Sequence, residues 1–263
     1  MILEKVGALE KLRQNIYIIS LLIRRERKST TESMFMGSLW EIVNPLIHTI
    51  ILVWVFGQMF GNGKAGKFPV YVLTGTLING LFTAATTMCL GALRSNKTFL
   101  IQTKLDKEIF ILEKVFIAFR NFLCSLIVYC LVIGIYRITP NIKWLYIIPD
   151  IILLMLMIVG IGKILAVINV VFADITYFYS IFTLAVMYGS AIFYRADMLS
   201  SNMQKIIMVN PIYLSITIAR NAILEKKDSS IIMWIILIIY SLGLYIIGKW
   251  VFDRGTRNIV AKM

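Results

Sequence analysis

Residues 145–194 read LYIIPDIILLMLMIVGIGKILAVINVVFADITYFYSIFTLAVMYGSAIFY and form a long and almost uninterrupted apolar run. With a helical rise of about 1.5 Å per residue, this run is about twice as long as the hydrocarbon core of a bilayer is thick. The chain therefore has to turn inside it, and Ala173 and Asp174 mark the break. The run predicts two consecutive membrane-spanning helices, over 145–172 and 175–194.

The rest of the 263-residue chain has the same character. It is 59% hydrophobic and only 16% charged, with a mean hydropathy of +0.82. Further apolar segments near or above the length of a span lie at 42–60, 69–93, 115–136 and 231–251. We therefore expect an all-α integral membrane protein with six transmembrane helices. The expected domains are a cytosolic interfacial helix with its connecting loop (1–41), the transmembrane domain (42–251) and a cytosolic tail (252–263).

Two segments are apolar but do not fit a simple span. At the amino end, apolar residues recur at steps of three and four, which predicts an amphipathic helix over 9–23 lying in the membrane interface. A basic run that includes Arg27 and Lys28 follows it, where anionic headgroups or a cytosolic partner could bind. Residues 206–219 are uncharged but too short to span, and Pro211 lies among them. This pattern predicts a re-entrant segment on the outer side, between helices five and six.

The charge distribution predicts the orientation of the chain. Its 27 Lys and Arg against 14 Asp and Glu give a net charge of +13. In a soluble protein this excess would favour nucleic-acid binding, but cytosolic loops of membrane proteins also collect Lys and Arg. With the amino terminus inside, sixteen of the 27 lie on the cytosolic side and nine outside. We therefore expect cytosolic amino and carboxyl termini, and no nucleic acid as partner.

The sequence offers little catalytic or cofactor chemistry. The single histidine, His48, lies inside the first span, and we expect it to be packed or to face a pore. Gly162 and Lys163 are not part of a phosphate-binding loop, because that motif needs Gly at 157 and Ser or Thr at 164, where this chain has Met157 and Ile164. Neither a metal site nor a nucleotide site is expected, so active transport would need ATP and Mg²⁺ held by another polypeptide.

Two features inside the spans are candidates for a transport role. Lys163 is deep enough that its charge needs water or a partner, so it either lines a pathway or reaches the cytosolic interface. In the fifth span, Tyr177 and Tyr188 are eleven residues apart, as are Phe182 and Phe193, so each pair would share a helix face. Such a face can contact sugar rings or lipid tails, although helix packing is the simpler interpretation.

A further motif lies at residues 36–61, which read MGSLWEIVNPLIHTIILVWVFGQMFG. This segment resembles the start of the first span in membrane subunits of ABC-2 type polysaccharide exporters, which move teichoic acids, O-antigens and capsules. The similarity extends along essentially the whole chain. Its matching residues are Gly37, Leu39, Trp40, Asn44, Pro45, Phe56, Gly57, Asn96, Leu100, Ile101, Glu108, Ile109, Asn169, Val170, Phe172, Asp174, Tyr194, Asn210, Pro211 and Arg220. It departs from the family at five positions. Met36 replaces the usual Leu, Asp106 and Ile111 stand where prolines are common, Ala173 replaces an Arg, and Ala191 replaces a Pro.

The resemblance implies a homodimer in a bacterial plasma (inner) membrane, bound to two copies of a separate ATPase, with a lipid-linked polysaccharide as cargo. The resemblance, taken together with the aromatic and charged residues noted above, gives four groups of predicted functional residues. ATPase coupling would involve Asn96, Leu100, Ile101, Asp106, Glu108 and Asp174. The substrate entrance would include Arg27, Lys28, Met36, Gly37 and Trp40. The pathway would include Tyr177, Phe182, Tyr188, Phe193 and Lys163, and the outer gate Tyr194, Asn210, Pro211 and Arg220.

Three other functions stay open at the level of sequence. A drug or lipid exporter of the ABC-2 type would share the same spans. A multipass membrane enzyme such as an acyltransferase would need a polar catalytic cluster within the membrane, for which one histidine and scattered carboxylates supply little. A passive channel would conduct ions without a partner.

Overall fold

The computed structural model describes residues 14–26, 40–59, 67–97 and 105–262, and the regular structure within them is helical throughout. We number the helices in chain order. They are α1 (14–26), α2 (Trp40–Met59), α3 (Phe68–Ser95), α4 (Glu108–Ile135), α5 (Ile147–Val171), α6 (Ile175–Tyr188), α7 (Ser201–Ile207), α8 (Pro211–Arg220) and α9 (Ile231–Lys262). A 3-10 turn (Ile142–Tyr146) precedes α5, another (Ala196–Met198) precedes α7, and a π turn (Asn221–Glu225) extends α8.

Four of these helices are long and apolar enough to cross a membrane: Phe68–Ser95, Glu108–Ile135, Ile142–Val171 and Ile231–Thr256. They correspond to the expected second, third, fourth and sixth spans, so the prediction of a helical multi-pass membrane protein is confirmed. One boundary was wrong, since α4 begins at Glu108 and not at 115. Residues 108–114 therefore belong to the same long helix as the third span.

The fifth apolar segment forms a shorter helix than expected. Helix α6 has 14 residues, about 21 Å, and it ends at Tyr188 rather than at 194. The chain leaves the helix at Gly189 and turns through Ala191, which has a φ of 48°. Helix α2 has the 20 residues that a span needs, but only part of its side chains is described. The count of six spans stays a prediction.

The segment around Pro211 is a pair of helices with a sharp bend. Ser201–Ile207 and Pro211–Glu225 are bent by 97°, the geometry of a broken span or a re-entrant loop. The break between the two helices lies at residues 208–210, inside the predicted re-entrant segment 206–219. Pro211 is the first residue of α8, where its missing N–H costs no helical hydrogen bond.

The core lies between α3, α4, α5, α8 and α9. The closest helix pair is α5 with α9, whose backbones meet at Gly160 and Gly248. A Cβ added at Gly160 would overlap the carbonyl of Leu244, and one at Gly248 would overlap the carbonyl of Gly160. Small residues at a crossing of this kind let helices approach closely inside a membrane. The opposite side of α9 is exposed at Ile232, Ile239 and Ile246, as expected of a helix that meets lipid or another subunit.

The bundle has two ends that differ in chemistry. One end, here the α1 end, gathers α1, residues 96–97 and 105–107, the turn 172–174 and the last turns of α9. The other end, here the hairpin end, gathers residues 67–68, 136–146, 189–210 and 226–230. The predicted coupling residues in the described ranges lie at the α1 end, and the predicted gate residues lie at the hairpin end.

Candidate functional site

Lys163 forms a buried ion pair that connects the α1 end to the helices of the core. Its ammonium lies 3.1 Å from a carboxylate oxygen of Glu108, and its side chain is 1% exposed against 37% for Glu108. The rings of Tyr245 and Phe252 on α9 lie 5.0 and 6.0 Å from the same ammonium. The pair therefore joins the start of α4 to α5 and α9. In this conformation Lys163 lies inside the packing of a single chain and has its partner at the α1 end.

A groove surrounds the exposed side of this ion pair. It has a volume of about 520 Å³, and its lining includes Asp106, Glu108, Asp253 and Asn15 of α1. The ammonium of Lys107 donates a 2.8 Å hydrogen bond to the carbonyl of Thr256 and so ties the loop before α4 to the end of α9. Partial burial lowers the pKa of the Lys107 ammonium below its usual range. The groove is a surface of mixed charge that a polar protein segment can bind.

Helix α1 is attached to the bundle beside this groove. Lys114 on α4 donates a 2.6 Å hydrogen bond to Glu26 of α1, and Ile19 of α1 is buried. The predicted coupling residue Asn96 ends α3 nearby, where its amide donates to the carbonyl of Ala92 at 2.9 Å. A cavity of about 270 Å³ joins Asn96, Glu26 and Lys114. The interfacial helix thus contacts the same end of α3 and α4 that the coupling residues occupy.

The turn between α5 and α6 presents Asp174 at the surface of the α1 end. The turn is held in place by Asn169 near the end of α5. Asn169 is buried and donates a 2.6 Å hydrogen bond to the carbonyl of Leu90 on α3. The Asn169 amide oxygen accepts from the hydroxyl of Thr176 at 3.4 Å. A firmly held turn with an exposed carboxylate is suited to receiving force from a docked subunit.

Several predicted residues lie outside the described part of the chain. They are Arg27, Lys28, Met36 and Gly37 of the substrate entrance and Leu100 and Ile101 of the coupling segment. Trp40 is the first residue of α2.

Helix α6 exposes a band of aromatic and aliphatic side chains along its length. Tyr177, Phe182 and Tyr188 are 74%, 51% and 57% exposed. Only Tyr179 and Thr183 of this helix are buried. Phe193 lies in the turn after the helix, so the expectation that it shares a helix face with Phe182 was wrong. Its ring lies 6.5 Å from that of Tyr188 and extends the exposed aromatic surface toward the hairpin end.

At the hairpin end, Arg220 is the centre of a hydrogen-bond network. It is 4% exposed, and its guanidinium donates to the carbonyls of Tyr71 at 3.1 Å, Ala191 at 2.9 Å and Ile192 at 3.1 Å. The guanidinium carbon lies 3.4 Å from the centroid of the Tyr71 ring, a cation–π contact. One side chain from α8 thus holds both α3 and the turn that follows α6.

The other predicted gate residues contact the same turn. The Asn210 amide donates to the carbonyl of Gly189 at 3.1 Å and to the hydroxyl of Ser190 at 2.9 Å, while its oxygen caps α8 by accepting from Ile212 N at 3.0 Å. Tyr194 donates to the carbonyl of Tyr188 at 2.7 Å. The structure therefore brings Tyr194, Asn210 and Arg220 together around residues 189–194, with Pro211 beginning the adjoining helix.

Ala191 shows how one departure from the family pattern is accommodated. Its φ of 48° is in the left-handed region, which proline cannot adopt because its ring fixes φ near −65°. Its carbonyl accepts one of the Arg220 hydrogen bonds. Alanine can adopt the backbone conformation of this turn, whereas a proline at position 191 would require a turn of different conformation.

His48 lines a third cavity, of about 370 Å³, between α2, α3 and α4. Polar residues from all three helices contribute to its wall, among them Asn44, Thr76, Asn121 and Ser125. Within the described residues, no group of three or more His, Cys, Asp or Glu is arranged to hold a metal ion. The surroundings of His48 are those of a residue facing a cavity, one of the two alternatives expected from the sequence.

Two interactions between side chains were not predicted from the sequence. Glu108 and Lys163 were both named but not paired, and Tyr71, whose hydroxyl donates to the carbonyl of Tyr194 at 3.1 Å, was not singled out. Asp150 is also fully buried, with one carboxylate oxygen 3.0 Å from the hydroxyl of Ser215. A charge deep in an apolar segment is the signal that could have indicated the first pair, since such a charge calls for a partner of opposite sign.

Comparison with known proteins identifies the family of this chain. Residues 17–224 match the ABC-2 type transporter family. Two O-antigen export system permease proteins RfbA of Klebsiella pneumoniae are 25% and 26% identical to the chain over 248 residues, which cover 91% of this chain and 95% of each relative. The resemblance to the membrane subunits of ABC-2 polysaccharide exporters is thereby confirmed. The chain belongs to the ABC-2 type transporter family, as a multi-pass permease subunit related to those of O-antigen export systems.

Proposed function

We propose that this protein is the membrane-spanning subunit of an ATP-driven exporter that moves an undecaprenyl-linked cell-surface polysaccharide, such as an O-antigen or a teichoic acid, out of the cytosol. Its similarity to O-antigen export permeases over almost the whole length of both chains is the observation that carries this proposal. In the proposed assembly, two copies form a homodimer in the bacterial plasma membrane. Each copy has six spans and cytosolic termini, and each binds one ATPase subunit.

The α1 end supplies the surface on which the ATPase would dock. Asp174 is exposed on a firmly held turn, and the 520 Å³ groove at the same end of the bundle presents Asp106 and Glu108. Movement of the loop before α4 would reach the core through the Glu108–Lys163 pair and the Lys107–Thr256 bond. Because α5 and α9 touch through their backbones, they would shift as one body.

The exposed band on α6 would face the moving glycan. Aromatic surfaces contact sugar rings through apolar and CH/π interactions, which are individually weak and similar from one ring to the next. A chain of sugars can slide along such a surface because no single site binds it tightly. The basic residues Arg27 and Lys28 before α2 would attract the pyrophosphate of the lipid carrier to the entrance.

Depletion of the protein in its own host tests the proposal. We expect surface polysaccharide, detected by blotting of intact cells, to fall while lipid-linked polymer accumulates on the cytosolic face of the membrane. In the same host, Asp174→Ala should reduce both recovery of the ATPase with the permease and surface polysaccharide. Asp228→Asn, which alters an exposed carboxylate at the hairpin end, should change neither. Unchanged surface polysaccharide after depletion would rule out this cargo, and loss of resistance to a drug would favour a drug exporter.

A further inference from the structure

The hairpin end contains a cavity of about 650 Å³ whose lining combines aromatic rings with charged groups. This volume is within the usual range of small-molecule binding sites. Its aromatic members are Phe68, Tyr71, Phe193, Tyr194 and Tyr213, and its charged members are Lys67, Arg195, Asp197, Arg220, Glu225 and Lys227. Aromatic faces flanked by hydrogen-bonding groups are suited to bind sugar rings.

The aromatic wall is held in a fixed arrangement. The rings of Phe68 and Tyr71 are stacked, with centroids 5.7 Å apart, and the Tyr71 hydroxyl binds the carbonyl of Tyr194. The guanidinium carbon of Arg220 lies 3.4 Å from the centroid of the Tyr71 ring, and the same guanidinium anchors the turn that carries Phe193 and Tyr194. Since these side chains are ordered before any ligand binds, little conformational entropy is lost when one does.

The charges in the lining do not balance. Arg195 is paired with Asp197 at 3.2 Å, and Lys227 is paired with Glu225. Within the described part of the chain, this leaves Lys67 at the rim and Arg220 in the wall without a carboxylate partner. Of the five N–H donors of a guanidinium, Arg220 gives three to main-chain carbonyls, so two are not committed to the backbone. The lining of the cavity therefore carries an excess of positive charge.

We propose that this cavity binds a sugar unit bearing a carboxylate or phosphate group, as an anion-selective subsite for the glycan at the hairpin end. The inference rests on the proposed function, because it takes the exported polysaccharide as the ligand. The aromatic wall would contact the ring, and Lys67 and Arg220 would bind the anionic group. A lipid headgroup phosphate offers the same anionic chemistry, and the test separates the two sources.

The test measures binding of defined saccharides to the purified complex of this chain with its ATPase, in detergent and without nucleotide. The probes are hyaluronan hexasaccharide, which carries carboxylates, chitohexaose, which is neutral, and sn-glycerol 1-phosphate, which represents a lipid headgroup. We expect hyaluronan hexasaccharide to bind about tenfold more tightly than chitohexaose, since charge-assisted hydrogen bonds add to the aromatic contacts. We expect glycerol phosphate not to displace it. Equal affinity for both hexasaccharides, or displacement by glycerol phosphate, would overturn the inference.

Two variants locate the binding. Lys67→Gln should weaken hyaluronan binding about threefold, because it removes one exposed charge. The matched control Lys226→Gln alters a lysine at the same end but outside the cavity lining, and it should leave hyaluronan binding unchanged. Thr217→Trp should fill the cavity and weaken binding more than about tenfold, with an unchanged melting temperature as evidence of folding. Equal behaviour of the two lysine variants would overturn the assignment to this cavity.

The outcome is distinguishable from failure of the proposed function, because the binding assay involves no transport. If depletion abolishes surface polysaccharide but the hexasaccharide does not bind, only the cavity assignment is wrong. If depletion leaves surface polysaccharide unchanged, the proposed function is wrong regardless of the binding result.

Discussion

Removing Glu108 and removing Lys163 should lower the free energy of unfolding by different amounts, because the two members of this ion pair are buried to different extents. Glu108→Gln would leave the Lys163 ammonium at 1% exposure with only the Tyr245 and Phe252 rings beside it. Removing one member of a buried pair costs about 3–5 kcal/mol, and the partial hydration of the site reduces this to about 2–3 kcal/mol. Lys163→Met would leave Glu108 37% exposed and able to bind water, so we expect a loss of only about 1 kcal/mol.

The double variant provides the sharper result. In Lys163→Met/Glu108→Gln no charge is stranded, so we expect it to lose about 2 kcal/mol less than the sum of the two single variants. The assay is a denaturant titration of the purified protein in mild detergent, followed by tryptophan fluorescence. As a control, Arg195→Gln removes one member of an exposed pair and should have little effect. Equal losses for the two single variants, or additive losses in the double variant, would refute the reasoning.

Three further predictions concern the rest of the fold. Gly160→Ala should cost about 2 kcal/mol of stability because its Cβ meets the α9 backbone, whereas Gly243→Ala, which has open space, should not destabilise; denaturant titration compares them. Asn210→Ala should lower stability by about 2 kcal/mol and increase proteolysis of the 189–194 turn, because it removes a helix cap and two further hydrogen bonds. The hydrogen bond from Lys143 holds the pKa of Asp228 below its usual range, so its stabilisation is present at neutral pH and disappears as the pH falls through that lowered value. The melting-temperature difference between the wild type and Asp228→Asn should therefore shrink between about pH 5 and pH 3, and a constant difference would contradict this.

The positions of the long helices could be predicted because the membrane imposes a length. A span needs about 20 apolar residues, so the runs at 69–93, 145–172 and 231–251 were recognisable from hydropathy alone. The start of α4 was placed too late because Glu108 and Lys114 interrupt the apolar pattern. Each has a partner of opposite charge that sequence does not show, Lys163 and Glu26 respectively. Tertiary ion pairs thus allow charged residues to extend a span.

The end of α6 was misjudged for a related reason. The apolar run continues to residue 194, and nothing in its hydropathy marks a break at Tyr188. The break depends on Gly189, on the left-handed conformation of Ala191 and on hydrogen bonds from Asn210 and Arg220. These contacts join residues up to 29 positions apart, so local sequence patterns do not contain them.

Three of the residues predicted for the outer gate lie close together in the structure, and their role as a gate stays a prediction. Tyr194, Asn210 and Arg220 were selected through the family resemblance, and the structure brings them together around a single turn. The contact between Tyr71 and Arg220 could not be predicted from the sequence, because the two residues are far apart in the chain. In the sequence, Tyr71 resembles an ordinary tyrosine at a membrane interface.

Transport in inverted membrane vesicles tests the central claim most directly. Vesicles with this chain and its ATPase should move lipid-linked polysaccharide into the lumen, where it resists added glycosidase, only when ATP is supplied. Vesicles lacking either polypeptide should leave the polymer fully digestible. Protection of the polymer without ATP, or by this chain in the absence of an ATPase, would contradict the account.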